Sequence, residues 1–357
     1  MQQTVEAAKA GDQNLVGRWQ ALQETQPHLR IRAAAEQLGV SEMELVRLRG
    51  GEALVPLEGR FPEILKALEQ VGPVMVLARN NEVVHEVTGA FRDFTSGKSG
   101  LMGLAVGDID IRVFFKHWAW GYRVREQVRS GLRESLQFFD GYGAAIHKIY
   151  RVAETDDVAW DQLVERFAAS QLAPFKPCGK RPDPVRVAAG SVDIKELRDG
   201  WQELKDVHHF NALLKRAGTD RLTALELLRG EWATELQRTD GGVLDTLLAL
   251  LRDNQCPGMF FVGNPGIVQI YTGQVSNLRR TGPWMNVLDP GFNLHANTEL
   301  VKRWWLVRRP SSDGIITSVE AFNARGELVL TVFGERKPGL PESEFWREQV
   351  ATLEALS

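Results

Sequence analysis

The segment Phe139-Asp140-Gly141-Tyr142-Gly143, followed by Tyr150, decides the fold because a similar segment returns near the end of the chain. Its counterpart is Phe322-Asn323-Ala324-Arg325-Gly326, followed by Phe333, and both pairs of aromatic residues have the same offset in numbering (322 − 139 = 333 − 150). Each turn joins two strand-like runs, at residues 135–139 and 145–152 and at residues 317–322 and 327–333. A short Gly-containing turn between such runs predicts an antiparallel hairpin, because parallel strands need long crossovers.

Other segments repeat at nearly the same offset. Trp19 and Trp201 each begin a Trp-Gln-x-Leu segment, and their offset (201 − 19) is within one position of that of the hairpins. Further matched pairs at almost the same offset are Asn80 with Asn264, Asp110 with Asn293, and Trp160 with Trp346. Ordered matches at almost one offset indicate an internal duplication.

Both copies have the same predicted plan: a helical opening, two hairpins and a closing amphipathic helix. The earlier hairpins are predicted at residues 74–78 with 82–87 and 259–262 with 267–272, and the closing helices at 158–168 and 342–356. Helices segregated from antiparallel sheets define the α+β class. We expect a first repeat at residues 1–173, a linker at 174–190 whose four prolines oppose regular structure, and a second repeat at 191–357.

Composition excludes several classes of protein. The 43 basic and 46 acidic residues give a net charge of −3, which argues against a chain that mainly coats nucleic acid or anionic membranes. Cys178 and Cys256 form no CxxC pair, which argues against a Cys-held zinc or iron–sulfur site. The N-terminus lacks a secretory signal and no apolar run reaches membrane-spanning length, so we expect a cytoplasmic protein without membrane insertion.

Two adjacent histidines, His208 and His209, are candidates for chemistry. If residues 207–216 are helical, Val207, Phe210, Leu213 and Leu214 form one apolar stripe and His208 points nearly opposite to it. A histidine in that position faces either solvent or a cleft. The pattern alone favours a solvated surface histidine, and both interpretations stay open.

Several segments together resemble the HemS/ChuS family of bacterial haem-handling proteins. They are Arg79-Asn80 with Val84-His85-Glu86, Asp110-Ile111-Arg112-Val113-Phe114, Asp206-Val207-His208 with Leu213-Leu214-Lys215-Arg216, Phe261-Val262-Gly263-Asn264 with Val268-Gln269-Ile270, Arg309-Pro310-Ser311-Ser312-Asp313-Gly314, and Gly334-Glu335-Arg336. The likeness runs in order from about residue 17 to the C-terminus. It implies two repeats, each with a large antiparallel sheet flanked by helices, and haem b held in a cleft between sheet and helices.

The resemblance also implies roles for individual residues. His208, in the second repeat, is similar to the axial iron ligand, and His209 is a possible alternate; protonation competes with iron, so haem affinity should fall in acid. Arg112 is similar to an arginine near the distal face of the haem, where it can order a water. The alternative for Arg112 is an ion pair with Asp108 or Asp110. Phe114, two positions along the same strand, would share its face.

The haem propionates imply basic partners. Arg221, Arg309 and Arg336 match the propionate clamp of the family, where Arg309 replaces a frequent Lys and Phe333 replaces a frequent Tyr. The replacement at Phe333 removes a hydroxyl donor, and a solvated surface charge is the alternative for each Arg. His85 is similar to a histidine proposed as an additional haem contact, but in an alternating strand it is more often a partnered structural residue.

Three functions are compatible with these residues. The favoured one is a carrier that receives imported haem and delivers it for iron release, with a haem oxygenase or a haem-importer component as partner. The second is a haem-degrading enzyme in which Arg112 acts on the distal side. The third is haem-responsive DNA binding, because residues 33–46 resemble a helix-turn-helix with Gly39 in the turn and Ser41 as a cap, although the second copy lacks the Leu-Gly-Val-Ser turn.

Overall fold

A computed structural model of the protein describes residues 2–128, 131–175, 178–179, 181–237, 242–336 and 339–357. The side chains of residues 2–13 and of His208 lie outside this description. The helices of the described residues are α1 (Gln2–Thr25), α2 (Ile31–Leu38), α3 (Glu42–Arg47), α4 (Phe61–Ala67), α5 (Asp157–Phe167), α6 (Ile194–Gln202), α7 (Phe210–Arg216), α8 (Arg221–Leu227), α9 (Val243–Asp253) and α10 (Glu344–Ala355).

Eighteen strands are assigned in the same ranges. The first nine are β1 (Leu54–Pro56), β2 (Pro73–Arg79), β3 (Val83–Ala90), β4 (Thr95–Ser96), β5 (Met102–Ala105), β6 (Asp110–Phe114), β7 (Trp120–Val128), β8 (Gly131–Phe139) and β9 (Ala145–Arg151). The other nine are β10 (Ala233–Leu236), β11 (Gly258–Asn264), β12 (Ile267–Gly273), β13 (Leu278–Thr281), β14 (Trp284–Asp289), β15 (Phe292–Asn297), β16 (Val301–Ser311), β17 (Gly314–Asn323) and β18 (Leu328–Gly334).

The strands form two nine-stranded sheets that exchange strands between the copies. The first sheet has the order β1-β7-β8-β9-β2-β3-β15-β14-β13, and the second has the order β10-β16-β17-β18-β11-β12-β6-β5-β4. Six strands of each sheet therefore come from one copy and three from the other. Every pairing between these strands is antiparallel, including the two that join the copies, β3 with β15 and β12 with β6. The predicted α+β class with two large antiparallel sheets is confirmed.

The hairpins that decided the fold occur where they were predicted. The turn between β8 and β9 contains Gly143 with φ 78°, and the turn between β17 and β18 contains Gly326 with φ 76°. Both glycines adopt the left-handed conformation that residues with a Cβ avoid, which explains why Gly recurs at the same place in both copies. Asp140 and Asn323 each accept backbone N–H groups of their turns, so the two turns share their side-chain support as well.

The largest apolar core lies between the two sheets. It contains Val76 of the first sheet and Val262 of the second, together with Trp160 of α5 and Trp346 of α10. We call the side of each sheet that faces away from this core its outer face. Helices α2 and α3 pack on the outer face of the first sheet, and α6, α7 and α8 pack on that of the second. Each helical group covers one end of its sheet.

The connection between the copies crosses the first copy without forming a helix or strand over the described part of residues 174–188. Phe175 packs against Trp120 with the ring centroids 5.7 Å apart, and the backbone N–H of Cys178 donates to the carbonyl of Gly141. Pro177, one of the prolines of the predicted linker, lies outside the described residues. The boundaries at residues 173 and 191 stay a prediction about the repeats.

Candidate functional site

The segment with the paired histidines lies beside the turn between β16 and β17. Trp201 Nε1 donates to the carbonyl of Arg308 (2.9 Å), and the backbone N–H of Ser312 donates to the carbonyl of Lys205 (2.9 Å). These bonds hold the end of α6 and Lys205 of the following connection beside β16 and the turn after it. The predicted helix over residues 207–216 starts later than expected: a single 3-10 turn, Val207–His209, precedes α7.

The late start of α7 changes the geometry predicted for the histidines. Side chains in a 3-10 turn are about 120° apart rather than about 100°, so the argument that placed His208 opposite the apolar stripe does not apply to it. Phe210, Leu213 and Leu214 are buried against the second sheet, as the stripe predicted. His209 is exposed, and the side chain of His208 lies outside the described residues. A ligand role for either histidine stays a prediction.

Two of the predicted clamp arginines meet at one buried carboxylate. Arg309 on β16 is only 2% exposed and forms an ion pair with Glu320 of β17, and its Nη1 donates to Ser318 Oγ (3.0 Å). Arg221, at the start of α8, lies with Nη1 3.3 Å from Glu320 Oε2. We call these four residues the Glu320 cluster. The alternative of a solvated surface charge is therefore wrong for Arg309.

Burial and charge oppose each other in the Glu320 cluster. Burial raises the pKa of the Glu320 carboxyl, but the guanidinium groups of Arg221 and Arg309 outweigh it and hold that pKa below its ordinary value. Burial lowers the pKa of Arg221, and Glu320 opposes that shift. The carboxylate therefore stays ionised between two cations, which leaves one positive charge in excess.

The ring of Phe210 connects the Glu320 cluster to α7. The Cζ atom of Arg309 lies 4.4 Å from the ring centroid, and that of Arg221 lies 4.9 Å from it. The ring also packs edge-to-face on Trp201 at 4.8 Å. Phe210 is the first residue of α7 and directly follows the Val207–His209 turn. The histidine segment is thus anchored on two guanidinium groups.

The rest of this outer face is a partly apolar floor that extends into the other copy. Residues opposite each other on antiparallel strands share a face. The register pairs Ser318 with Phe333, Phe333 with Met259, Phe261 with Ile270, Ile270 with Asp110, and Val268 with Arg112. The rings of Phe261 and Phe333 are 5.3 Å apart.

The floor brings together site residues that the sequence placed far apart. Arg112 and Phe114 of the first copy lie on the same outer face as Arg309 and Phe333 of the second copy. Four strand spacings of about 4.8 Å separate β17 from β6, which is roughly 19 Å. The face has helices α6 to α8 at one end and β6 near the other.

Arg112 is engaged by groups of its own strand, β6, and of the neighbouring strand β5. It forms an ion pair with Asp110, one of the two partners considered from the sequence, and Nη1 also donates to the carbonyl of Ala105 (3.3 Å). The side chain remains 36% exposed. Burial raises the pKa of Asp110 although Arg112 opposes this. The ion pair accounts for Arg112 without a ligand, and its distal role stays a prediction.

Arg336 lies near the same turn as the histidine segment. Its Nη2 is 4.0 Å from Asp313 Oδ2, and Asp313 follows the Ser312 whose N–H is bonded to Lys205. Its side chain is 20% exposed, and its Nε is buried with no hydrogen-bond partner among the described residues. Of the three arginines predicted to form the clamp, Arg336 and Arg221 are therefore the two with side chains that reach solvent.

His85 is a structural residue, as the favoured interpretation held. It is fully buried between the sheets, where Gln269 Nε2 lies 2.9 Å from His85 Nδ1, and its ring packs on Phe292 at 5.1 Å. Burial lowers the pKa of His85 to about 3. Gln269 is the counterpart of His85 in the second copy, because its offset (269 − 85) equals that of Asn264 from Asn80, so the two copies meet at this pair.

The helix-turn-helix pattern exists but is used for packing. Gly39 has φ 70°, and Ser41 caps α3 with a capping box to Glu44. Glu42 of α3 is buried in an ion pair with Lys148. The second copy lacks the Leu-Gly-Val-Ser sequence, as noted, but forms an equivalent turn from other residues: Gly218 has φ 65°, and Asp220 caps α8 in place of Ser.

The sequence did not single out Glu320 or Phe210. Phe210 was assigned only to the apolar stripe, and Glu320 lies within a strand that otherwise contains mostly apolar residues. A charged residue at such a position was the available signal, because a buried carboxylate requires cationic partners. Among the described residues, no helix combines the length and apolar character needed to cross a bilayer.

Comparison with known proteins agrees with the duplication and the predicted resemblance. Residues 39–167 and 218–353, one segment in each copy, match the model of the haemin-degrading HemS.ChuX domain. The chain is 35% identical over 328 residues to the hemin transport protein HmuS of Yersinia pestis, covering 90% of this chain and 92% of that protein.

Two solved structures are similar over almost the whole chain. One is holo-PhuS, a heme-binding protein from Pseudomonas aeruginosa, with 43% identity, a TM-score of 0.89 and coverage of 95% of this chain and 97% of that one. The other is ChuS, a heme degrading enzyme of Escherichia coli O157:H7, with 33% identity, a TM-score of 0.87 and coverage of 96% and 99%.

Proposed function

Because the chain belongs to the family of the haemin-degrading HemS.ChuX domain, we propose that it is a cytoplasmic carrier that binds haem b and delivers it for iron release. The observation that supports this proposal is the outer face of the second sheet. There an apolar floor, Phe261 with Phe333, adjoins the partly exposed arginines Arg221 and Arg336. A flat apolar macrocycle with two carboxylates requires that combination of surfaces.

We propose His208 as the axial ligand and His209 as its alternate. The proposal rests on the family resemblance and on the backbone of the Val207–His209 turn, which lies beside the same strand end as Arg336. A neutral imidazole donates to iron, so haem affinity falls as acid protonates it. Two adjacent histidines would also let the iron change ligand during delivery to a partner.

We assign direct propionate contacts to Arg221 and Arg336. Arg309 is committed to Glu320 and Ser318, so it supports Arg221 rather than reaching a ligand itself. Phe333 supplies apolar floor and no hydroxyl. The net positive charge of the Glu320 cluster favours one propionate beside Arg221.

A haem-degrading enzyme is the second candidate, and one observation favours keeping it. Arg112 lies on the same outer face and is partly exposed, where it can hold a water beside a bound haem. Bound haem would supply the redox chemistry in that case. Arg112 would first have to share or leave its ion pair with Asp110. The 35% identity to a protein described as a hemin transport protein favours the carrier.

Titration with haemin tests the binding proposal. We expect the wild-type protein to give a defined Soret band, His208→Ala to weaken and shift it, and His209→Ala to change it less. His28→Ala is the matched control, because His28 is an exposed histidine just before α2 in the first copy. An unaltered haem complex in His208→Ala would exclude His208 as the ligand.

A second experiment separates the carrier from the enzyme. The purified haem complex is supplied with a physiological electron donor, and catalase removes the peroxide that would otherwise cause coupled oxidation. An intact Soret band and transfer of haem to an acceptor protein support the carrier. Release of iron and a biliverdin-like product would support the enzyme instead.

A further inference from the structure

We propose that Glu320 is a positioning residue for the iron ligand: it holds Arg309 and Arg221 on the Phe210 ring and thereby fixes the start of α7. This inference rests on the proposed function, because it concerns which histidine binds haem iron. Glu320 itself is fully buried and would touch neither the iron nor the porphyrin.

Glu320 determines where the guanidinium groups of Arg309 and Arg221 lie. Arg309 and Ser318 Oγ (3.2 Å) bind its Oε1, and Arg221 binds its Oε2. A buried carboxylate needs such donors, and a buried guanidinium needs such an acceptor. The carboxylate is thus the shared acceptor that keeps two like charges near each other.

The two guanidinium groups in turn hold the ring of Phe210 in place. A cation over an aromatic face is attracted by the ring quadrupole, more strongly when it is desolvated. Arg309 lies closer to the ring than Arg221 and is almost completely buried. Phe210 therefore has a defined position at the residue where α7 begins.

The position of Phe210 in turn determines the position of the backbone that carries the two histidines. Only His209 separates Phe210 from His208, and the backbone N–H of His209 is bonded to the carbonyl of Asp206 (3.0 Å). A small rotation at Phe210 would move the short Val207–His209 turn and present His209 in place of His208. Glu320 thus selects the ligand without contacting it.

The same geometry connects the propionate to the iron ligand. Arg221 contacts both Glu320 and the Phe210 ring, and it is the member of the cluster with a partly exposed side chain. A propionate that binds Arg221 completes the charge balance of the cluster, since two arginines face one glutamate. Binding at the clamp and ligation by His208 are therefore coupled.

The test combines Glu320→Gln with His209→Ala in the full-length chain. Removing His209 should change the haem dissociation rate of the wild-type protein by less than about twofold. In Glu320→Gln it should raise that rate about tenfold, as expected for coupled residues, because His209 then carries part of the ligation. Ferric absorption and EPR spectra of Glu320→Gln should show a second species that disappears in the double variant.

Control variants separate positioning from a general loss of stability. Glu42→Gln removes a buried charged partner in the first copy and should leave the haem spectrum and the His209 dependence unchanged. Glu320→Asp keeps the charge and should restore a single species. If Glu320→Gln does not fold, Phe210→Leu keeps the apolar contact and removes the cation–π interaction, and it should show the same second species.

The outcomes distinguish two failures. If His208→Ala leaves the wild-type haem complex unaltered, the proposed function fails. If His208 is the ligand but folded Glu320→Gln, or Phe210→Leu in its place, gives one wild-type species with no dependence on His209, the positioning role of Glu320 is overturned.

Discussion

The outer faces of the two sheets are built from equivalent strands but carry side chains of opposite charge. The two hairpins are separated by one offset in numbering, and the same offset (309 − 126 = 320 − 137) relates other positions of the two copies. It makes Glu126 the counterpart of Arg309, and the neutral Gln137 the counterpart of Glu320. Arg221, the first residue of α8, matches Glu42, the first residue of α3. These two positions thus carry cations in the second copy and carboxylates in the first. The two copies share one scaffold, and their side chains make only the second face suited to the dianion that we propose.

The floors of the two outer faces also differ: the floor of the second copy is apolar where that of the first is polar or charged. Where the second copy has Phe333 and Ile270, the first has Tyr150 and Glu86. Burial raises the pKa of Glu86, and Arg30 and Arg133 oppose that shift, so charged groups surround the position. The counterpart of the His208 turn, just before α2, is Leu29-Arg30. We therefore expect haem on the second face and none on the first.

Separating the two copies should have the largest effect, because it should prevent either half from folding as a stable monomer. A chain of residues 191–357 loses β4 to β6 and leaves the edge of β12 unpaired, while its own β13 to β15 lose their partner β3. Exposed strand edges associate with other strands. We expect no folded monomer, measured by light scattering after gel filtration. Co-expression with residues 1–190 should restore a stable complex, and a native-like monomer of the isolated half would contradict the exchange.

Breaking the buried ion pair of each copy compares their roles directly. Arg309→Met deprives Glu320 of its closest partner, and Lys148→Met does the same to Glu42. Each should lower the free energy of unfolding by about 3 kcal/mol in urea denaturation, because a buried charge is left without its counter-ion. Only Arg309→Met should alter the haem spectrum. A spectral change in Lys148→Met would contradict the difference between the faces.

Acid should destabilise the protein through the pair where the copies meet. Burial lowers the pKa of His85 to about 3, whereas an unfolded histidine has a pKa of about 6.5. The unfolded state binds the extra proton, so the stability contributed by neutral His85 is complete above pH 6.5 and is lost as the pH falls towards 3. The loss at pH 5 is about 2 kcal/mol.

His85→Gln provides the matched variant, because Gln269 is already the residue of the other copy at this position. Between pH 7.5 and pH 5, the free energy of unfolding of His85→Gln should fall by about 2 kcal/mol less than that of the wild-type protein. Urea denaturation at both pH values measures the difference. The buried His147 contributes equally to both proteins, so equal acid sensitivity would contradict the role of His85.

The smallest effect should come from exchanging one hydroxyl between the faces. Phe333→Tyr supplies the donor that the floor lacks, and one hydrogen bond to a propionate, about 1 kcal/mol, should slow haem dissociation about fivefold. Tyr150→Phe, the reverse change in the first copy, should leave the rate unchanged. Transfer of haem to an excess of an acceptor protein measures both rates. Faster dissociation from Phe333→Tyr would place the propionates elsewhere.

The hairpins, closing helices and duplication were predictable because their signals are local. Gly143 and Gly326 are required by their turns, which lie between two strand-like runs in each copy. The strand exchange was not predictable, because the pattern of β6 is the same whichever strand it pairs with. A strand's sequence reports the environment of its two faces and not the identity of its neighbours.

The candidate site was predicted through its residue types more than its geometry. Arg112, Phe114, Arg309 and Phe333 were named and do lie on one outer face. The start of α7 at Phe210 and the burial of Arg309 depend on tertiary contacts, which override the local helical pattern. Glu320 became significant only when the fold placed Arg221 and Arg309 against it.

The exchange of strands limits how a ligand on the second outer face can come and go. Strands β6 and β12 belong to different copies but are paired at residues 110–113 and 267–270, and β3 and β15 repeat this on the other sheet at residues 83–87 and 292–296. The copies therefore cannot swing apart like the two lobes of a hinged receptor without breaking two ladders. Haem bound as we propose would therefore enter and leave with both ladders intact, and contacts within the second outer face, rather than domain opening, would set its residence time.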